Sequence, residues 1–244
     1  MNMKSNNKYS KNKIVENREE SIVVIIPAFN EEKNIKNVIR KCKEYVQKII
    51  VIDDGSSDNT SQIAKNEDTI VIINRENLGK TDSLKKGFRK GTDESADIFL
   101  LLDADGQHNP DEIPLFLEKI HEGYDLVIGA RKFRPELMPK IRILANAVSS
   151  YLVSLICGVK IEDSQSGYRA LTREVVEEIT ITSSRFQADT EMIVKAAKHG
   201  FKVGFVPIET IYHPEAKSKV HQFIDPLRFI FLITRLAFYK KTKK

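Results

Sequence analysis

The chain has little cysteine: only Cys42 and Cys157, far apart in sequence and with no CxxC pair. Both sit in apolar-patterned segments, which predicts buried thiols in a reducing compartment. Long apolar runs are missing too. A membrane-spanning helix needs about 20 mostly apolar residues. The uncharged stretch Ile143–Val159 is interrupted by Asn146, Ser149, Ser150 and Ser154, and Phe223–Tyr239 is broken by Asp225, Arg228 and Arg235. The polar, Asn/Lys-rich start has no apolar core, so no signal peptide is expected. No G-x-G-x-x-G follows the first predicted strand and no Walker lysine loop occurs, which argues against a dinucleotide-binding Rossmann enzyme. The body has no basic run interleaved with aromatics, so nucleic acid is not an expected partner. Acids are absent from Met1 to Lys13, and the chain ends Tyr239-Lys240-Lys241-Thr242-Lys243-Lys244. Much of the net charge of +5 therefore sits in two tails. Such tails are solvated ends, or they touch anionic phospholipid at about 1 kcal/mol per basic residue.

What is present is an ordinary globular composition, 41% hydrophobic and 30% charged, in 244 residues. That is enough for one large domain or two small ones. Residues 1–20 read as a flexible basic arm. Apolar strands are predicted at Ile22–Ile26, Lys48–Ile52, Ile70–Ile73, Ile98–Leu102 and Leu126–Gly129, each followed by a helical pattern. The helices run from Asn30 to about Tyr45, after Asn59, from Lys80 through Lys90, and from Asp111 to Glu122. Repeated β-α units of this kind predict an α/β fold with a mostly parallel, doubly wound sheet and helices on both faces. Further helices are predicted at Ile143–Val159, Arg173–Ile179 and Asp189–His199, with a short strand at Lys202–Ile208. Phe223–Tyr239 reads as an amphipathic helix, packed on the core or lying on a membrane.

The most informative stretch is Leu101-Leu102-Asp103-Ala104-Asp105-Gly106-Gln107-His108. Its apolar lead-in predicts a buried strand ending in two carboxylates, and ligands in open α/β sheets bind beyond the carboxyl ends of strands. Residues i and i+2 of a strand share a face, so the two acids would repel unless a cation lay between them. Oxygen ligands suit Mg²⁺ or Mn²⁺, usually shared with substrate phosphates. The plainer reading is a solvated Asp-rich turn. An EF-hand loop fits poorly, because Gly106 comes too early and no acid occupies the twelfth position.

Five segments in order carry a resemblance: Ile26-Pro27-Ala28-Phe29-Asn30-Glu31, Val51-Ile52-Asp53-Asp54-Gly55-Ser56, Asp103 to His108, Ile128-Gly129-Ala130-Arg131, and Gln165-Ser166-Gly167-Tyr168-Arg169. Together they resemble the inverting family 2 glycosyltransferases of GT-A fold, in particular the dolichyl-phosphate mannosyltransferase and polyprenyl-phosphate glycosyltransferase group. The resemblance spans about residues 21–220, which it marks as a GT-A catalytic domain, followed by the helix and basic tail of 221–244. It implies that Pro27, Phe29, Glu31, Asp54, Asp103 and Lys80 bind a nucleoside-diphosphate sugar. Phe29 stands where the family usually has Tyr and can still stack on ribose or base. It also implies a Mg²⁺ or Mn²⁺ site at Asp103, Asp105 and Gln107, with the ion acting on the leaving nucleoside diphosphate. Arg131, Arg142, Asn146, Ser218 and Lys219 match positions around an acceptor phosphate, and His213 replaces a family arginine there. The plain alternatives are turn chemistry for Pro27 and Gly55, helix capping for Asp54, and a surface cation for Arg142.

Asp189 lies where other family 2 enzymes place a catalytic acid. It reads equally as a helix N-cap. The distinction matters because a phosphate acceptor is already anionic at neutral pH, whereas a hydroxyl acceptor needs a base. The implied function is inverting transfer of a hexose from GDP-mannose or a UDP-glucose-type donor to a polyprenyl (dolichyl or undecaprenyl) phosphate, with Asp103, Asp105, Arg131 and Asp189 as the catalytic set. Two alternatives stand beside it: a soluble family 2 enzyme acting on a hydroxyl with Asp189 as base, and a non-catalytic nucleotide-sugar-binding module. A lipid acceptor implies a cytoplasmic protein lying peripherally on the cytosolic face of a membrane. Ile143–Val159 and Phe223–Tyr239 would reach the lipid, the latter through Phe229, Ile230, Ile233 and Phe238.

Overall fold

The computed structural model describes residues 20–132, 140–183, 187–209, 211 and 224–239, with the backbone alone for 140–142 and 224–227. In chain order the elements are β1 (Ile22–Ala28), α1 (Ile35–Cys42), β2 (Lys48–Asp53), α2 (Thr60–Asn66), β3 (Ile70–Ile73), α3 (Lys80–Asp93), β4 (Ile98–Leu101), α4 (Ile113–His121), β5 (Leu126–Arg131), α5 (Lys140–Cys157), β6 (Arg169–Thr172), α6 (Arg173–Glu178), α7 (Gln187–His199), β7 (Val203–Ile208) and α8 (Ile224–Ala237). The strands form one sheet in the order β3-β2-β1-β4-β6-β5-β7. Pairing is parallel except on the two sides of β6, which runs antiparallel between β4 and β5.

The central strands are largely apolar because both faces are covered, whereas the edge strand β3 is only partly buried. Val23, Ile25, Ile50 and Ile52 face a core that includes Leu84 of α3, Val153 of α5, Met192 of α7 and Leu232 of α8. Val24, Ile26 and Val51 point the other way, toward Ile39 of α1, Ala64 of α2 and Phe116 of α4. The expected fold class, a mostly parallel sheet with helices on both faces, is therefore the observed one.

Several sequence expectations change in detail. The β4 ladder stops at Leu101, so Asp103 and Asp105 lie in the turn beyond it and strand alternation does not set their directions. The predicted Asp111–Glu122 helix opens as a 3₁₀ turn at Pro110–Glu112, where the Asn109 side chain accepts the Asp111 N–H at 3.3 Å. Helix α1 starts only at Ile35, after Asn30 adopts a positive φ of 55°. Cys42 is buried as expected, but Cys157, at the end of α5, is only half-buried. Strand β6 was not expected, because a four-residue segment of Arg, Ala, Leu and Thr carries almost no periodic signal.

Helices α7 and α8 are joined by charge. Glu191, fully buried on α7, accepts the N–H groups of Thr182 (2.9 Å) and Ser183 (2.6 Å) and the Thr182 hydroxyl (2.6 Å). It also pairs with Lys195 at 2.7 Å, and Arg235 of α8 comes within 3.7 Å of it. Lys198 donates to the Leu236, Ala237 and Tyr239 carbonyls at 2.8, 2.8 and 3.0 Å, closing the C-terminal end of α8. Burial alone would raise the Glu191 pKa, but Lys195 and the Thr182 and Ser183 donors hold it down at about 2. A depressed carboxyl contributes stability above its unfolded pKa and loses it as pH falls through the folded value. A carboxyl held near 2 instead of 4.5 contributes on the order of 3 kcal/mol at neutral pH. Glu191→Gln should therefore be less stable than the unmodified protein at pH 7, and the difference should shrink between about pH 4.5 and pH 2. Denaturant melts across that range check this; a gap that stays constant with pH contradicts it.

Candidate active site

The carboxyl ends of β2, β1 and β4 lie side by side, because the sheet order runs β2-β1-β4. Beyond β4, Gly106 (φ 75°) turns the chain. The Asp105 carboxylate accepts the Gln107 N–H at 3.0 Å. The Asp103 backbone N–H donates to His108 Nδ1 at 3.1 Å, so the proton of a neutral His108 lies on Nε2, which is 3.9 Å from Asp103 Oδ2. His108 is buried and stacks on Tyr168, which stacks in turn on Phe116 at 4.2 Å between ring centres. Burial lowers the His108 pKa, and Asp103 and Asp105 only partly oppose that.

The first residue of α3, Lys80, reaches into this turn. Its ammonium is 2.7 Å from Asp103 Oδ1 and 3.8 Å from Asp189 Oδ2. Burial by itself would raise the Asp103 pKa, but Lys80, then His108 and Arg131, bring it down to about 2. Asp105 has the opposite fate: burial first, then the Asp103 charge, raise it, and Glu31 adds to the effect. Gly167 packs bare against the pair. A Cβ there would stand 2.6 Å from Lys80 Nζ and 2.9 Å from Asp103 Oδ2, so any side chain would have to push the ammonium aside.

Two further carboxylates are held by arginines. Asp163, buried, takes Arg131 as a two-pronged partner, at 2.7 Å to Nε and 3.0 Å to Nη2. Asp189, the third residue of α7, lies between Lys80 and Arg169, whose Nη2 is 3.8 Å from Asp189 Oδ1. Its side chain is thus turned to two cations. The N-cap reading fails on position, since α7 begins two residues earlier. Arg169 is fully buried; burial presses its pKa below the ordinary value, and Asp189, Asp163 and Asp103 oppose that.

The Asp54 carboxylate at the end of β2 accepts from Asn74 Nδ2 (2.7 Å), Leu78 N–H (2.9 Å) and Gly79 N–H (2.8 Å). It ties the β3–α3 loop to the sheet. Pro27 and Phe29 at the end of β1 are half-buried, and Glu31 accepts from Asn34 Nδ2 at 3.0 Å. Asn146 on α5 is buried with neither amide atom hydrogen-bonded. Of the residues named from sequence, Asp103, Asp105, Lys80, Arg131, Asp189 and Glu31 thus feel one another. Asp54 faces the neighbouring loop, and Gln107 lies in the acid turn. Ser218, Lys219 and His213, and the Arg142 side chain, lie outside the described residues. Sequence reasoning missed Asp163, and it did not single out His108, Gly167 or Arg169, although these three sit inside the quoted motifs.

Residues 23–180 match the profile of Glycosyl transferase family 2. The chain belongs to that family. Among its relatives is a protein of Methanococcus voltae named UDP-N-acetylglucosamine–dolichyl-phosphate N-acetylglucosaminyltransferase, 33% identical over 78% of this chain and 86% of that one. Another is the polyprenol monophosphomannose synthase of Mycolicibacterium smegmatis, 30% identical over 76% of each. Among solved structures, glucosyl-3-phosphoglycerate synthase from Mycobacterium tuberculosis, in complex with Mn²⁺, UDP and glucosyl-3-phosphoglycerate, superposes with a TM-score of 0.68. That match covers 90% of this chain and 80% of the other at 19% identity, and it speaks to fold alone. The fold of this family 2 enzyme is GT-A, and its activity class is glycosyl transfer.

Proposed function

We propose that this glycosyltransferase moves a hexose from a nucleoside-diphosphate sugar to a polyprenyl phosphate, with inversion and with a divalent cation. The observation that carries the cation is the unequal pair of acids: Lys80 compensates Asp103, whereas burial and the Asp103 charge leave Asp105 with an excess of negative surroundings. No three His, Cys, Asp or Glu side chains converge on one point among the described residues. An oxygen-liganding ion that shares its shell with a diphosphate fits this turn better than one held by protein alone. Asp105, with Asp103 and Gln107, would hold Mg²⁺ or Mn²⁺. When bound, that ion supplies Lewis-acid charge to the departing nucleoside diphosphate.

Pro27, Phe29, Glu31 and Asp54 belong to the strand ends where the nucleoside would lie, and Lys80 fixes Asp103 beside its diphosphate. Asp189 already serves two cations, Lys80 and Arg169. A carboxylate committed in this way suits an acceptor that brings its own negative charge, which favours a phosphate over a hydroxyl. Arg131, with Arg142 and Asn146 from α5, would receive that phosphate, and Ser218 and Lys219 belong to the same proposal. The names of the relatives point the same way.

Asp105→Ala should abolish measurable binding of UDP-glucose, UDP-N-acetylglucosamine and GDP-mannose in Mn²⁺, and EDTA should do the same to the unmodified protein. Calorimetric titration checks both. Unchanged donor affinity in Asp105→Ala would remove the ion from the site.

The lipid acceptor implies contact with a membrane, although no helix among the described residues is long and apolar enough to cross one. Helix α5 exposes Leu144, Val148, Tyr151 and Leu155 along one stripe, and α8 exposes Ile230 and Phe231, with Phe238 exposed just past its end. The expected α8 set needs correction: Phe229 and Ile233 pack against the core, and Phe231 takes their place outside. The exposed side chains would enter a cytosolic membrane surface, with basic residues against anionic headgroups. Vesicles containing anionic lipid should carry the protein on flotation better than neutral ones. Phe231→Asp with Phe238→Asp should lower that binding roughly tenfold or more. Flotation equal to that of the unmodified protein would take α8 off the membrane.

A further inference from the structure

Six charges meet at the carboxyl edge of the sheet: the acids Asp103, Asp163 and Asp189, and the cations Lys80, Arg131 and Arg169. Four of them arrive on loops or in the first turn of a helix, and Arg131 ends β5. The sixth, Arg169, begins β6, where it stands in register with Leu101 of β4 on one side and Ile128 of β5 on the other. Leu101 is two residues before Asp103, and Ile128 is three before Arg131. Arg169 is among the largest side chains with no exposed surface.

Each nitrogen of its guanidinium has a hydrogen-bond partner. Nε donates to the Ser166 carbonyl at 2.8 Å, Nη1 to the Asp189 carbonyl at 2.5 Å, and Nη2 to the Ser164 carbonyl at 3.4 Å, with Asp189 Oδ1 at 3.8 Å. Two of these bonds hold the 163–167 loop. That loop carries Asp163, the partner of Arg131, and Gly167, which packs against Lys80 and Asp103. The third bond holds the first turn of α7, which carries Asp189. Asp189 Oδ1 has no hydrogen-bond partner, so its direction rests on the two nearby cations. One rigid side chain in the sheet thus fixes both segments that frame Lys80.

We propose that Arg169 is a positioning residue of the transferase site. It touches neither donor nor acceptor, and it sets Asp189 and the Asp163–Gly167 loop so that Lys80 and Arg131 are held in place for the reaction. This rests on the glycosyl-transfer activity of the family and not on which acceptor is used. Lysine at this position keeps the charge but cannot reach the Ser166 and Asp189 carbonyls together, because it has one donor head where arginine has a planar fork.

The test has two arms. A crystal structure of Arg169→Lys should keep the sheet and lose the approach of Asp189 to Lys80, with the 163–167 loop shifted. In turnover assays, followed as nucleoside-diphosphate release from UDP-glucose, UDP-N-acetylglucosamine and GDP-mannose with undecaprenyl phosphate and, separately, with water alone, the folded variant should lose roughly ten- to a hundredfold in kcat. Its donor KM should stay within about threefold. Asp189→Asn should show a similar loss, and adding it to Arg169→Lys should cost little more, since both act through one carboxylate. If Arg169→Lys does not fold, Asp189→Asn, which keeps the backbone carbonyl that Arg169 uses, carries the same expectation. Unmoved Asp189 and loop in the crystal, unchanged kcat per folded molecule, or losses of the two variants that multiply would overturn the proposal. An unmodified protein inactive with undecaprenyl phosphate but active with water defeats the acceptor reading and leaves Arg169 judged by its own variants.

Discussion

Buried carboxylates must be paired, and that constraint organises this site. Removing a carboxylate and an ammonium from water costs several kcal/mol per ion, offset only when partners lie close and further hydrogen bonds are satisfied. Asp163 meets this condition with Arg131, which donates to it twice, and Lys80 lies 2.7 Å from the half-buried Asp103, while Asp189 stands 3.8 Å from both Lys80 and Arg169. Each pair joins segments that are distant in sequence: α3 to the turn after β4, β5 to the loop before β6, and β6 to α7. The antiparallel insertion of β6 is what brings Arg169 to the same edge as the carboxyl ends of the parallel strands. The bare backbone at Gly167 leaves room for the Lys80 ammonium and the Asp103 carboxylate beside it, which a Cβ would displace. Asp105 stands outside this balance, with burial and the Asp103 charge raising its pKa.

Much of the parallel half of the fold was legible, because strands buried on both faces must be apolar and end abruptly. Ile22–Ala28 and Lys48–Asp53 announce themselves in this way, and Ile70–Ile73 is equally apolar although, as an edge strand, it is only partly buried. The acid turn was legible for the same reason. Strand β6 was not, since four residues bounded by Arg169 and Thr172 bear no period. The pairing of Lys80 with Asp103 was also hidden: 23 positions separate them, and only the packing of α3 on β1 and β2 brings them together. Asp163 carried no local signal, because its role is defined by an arginine 32 residues earlier. For Asp189, sequence offered a base or a cap, and its place between two cations was hidden because Lys80 and Arg169 are distant in sequence.

Helix α7 links the chemistry to the surface. Asp189 lies in its first turn, and further along Glu191 approaches Arg235 and Lys198 holds the last carbonyls of α8. The outward face of α8, with Phe231 and Phe238, is thereby fixed relative to the acids around Lys80 rather than tethered through a loose connection.

The most direct measurement of this account is the identity of the product. The purified protein is incubated with Mn²⁺ and, in turn, UDP-glucose, UDP-N-acetylglucosamine and GDP-mannose, with undecaprenyl phosphate in detergent and a water-soluble alcohol competing in the same tube. Organic extraction and mass spectrometry follow the sugar. The account predicts that one donor yields a lipid monophosphate sugar, with no sugar on the alcohol. Transfer to the alcohol alone, with the lipid phosphate left unglycosylated by every donor, would contradict it.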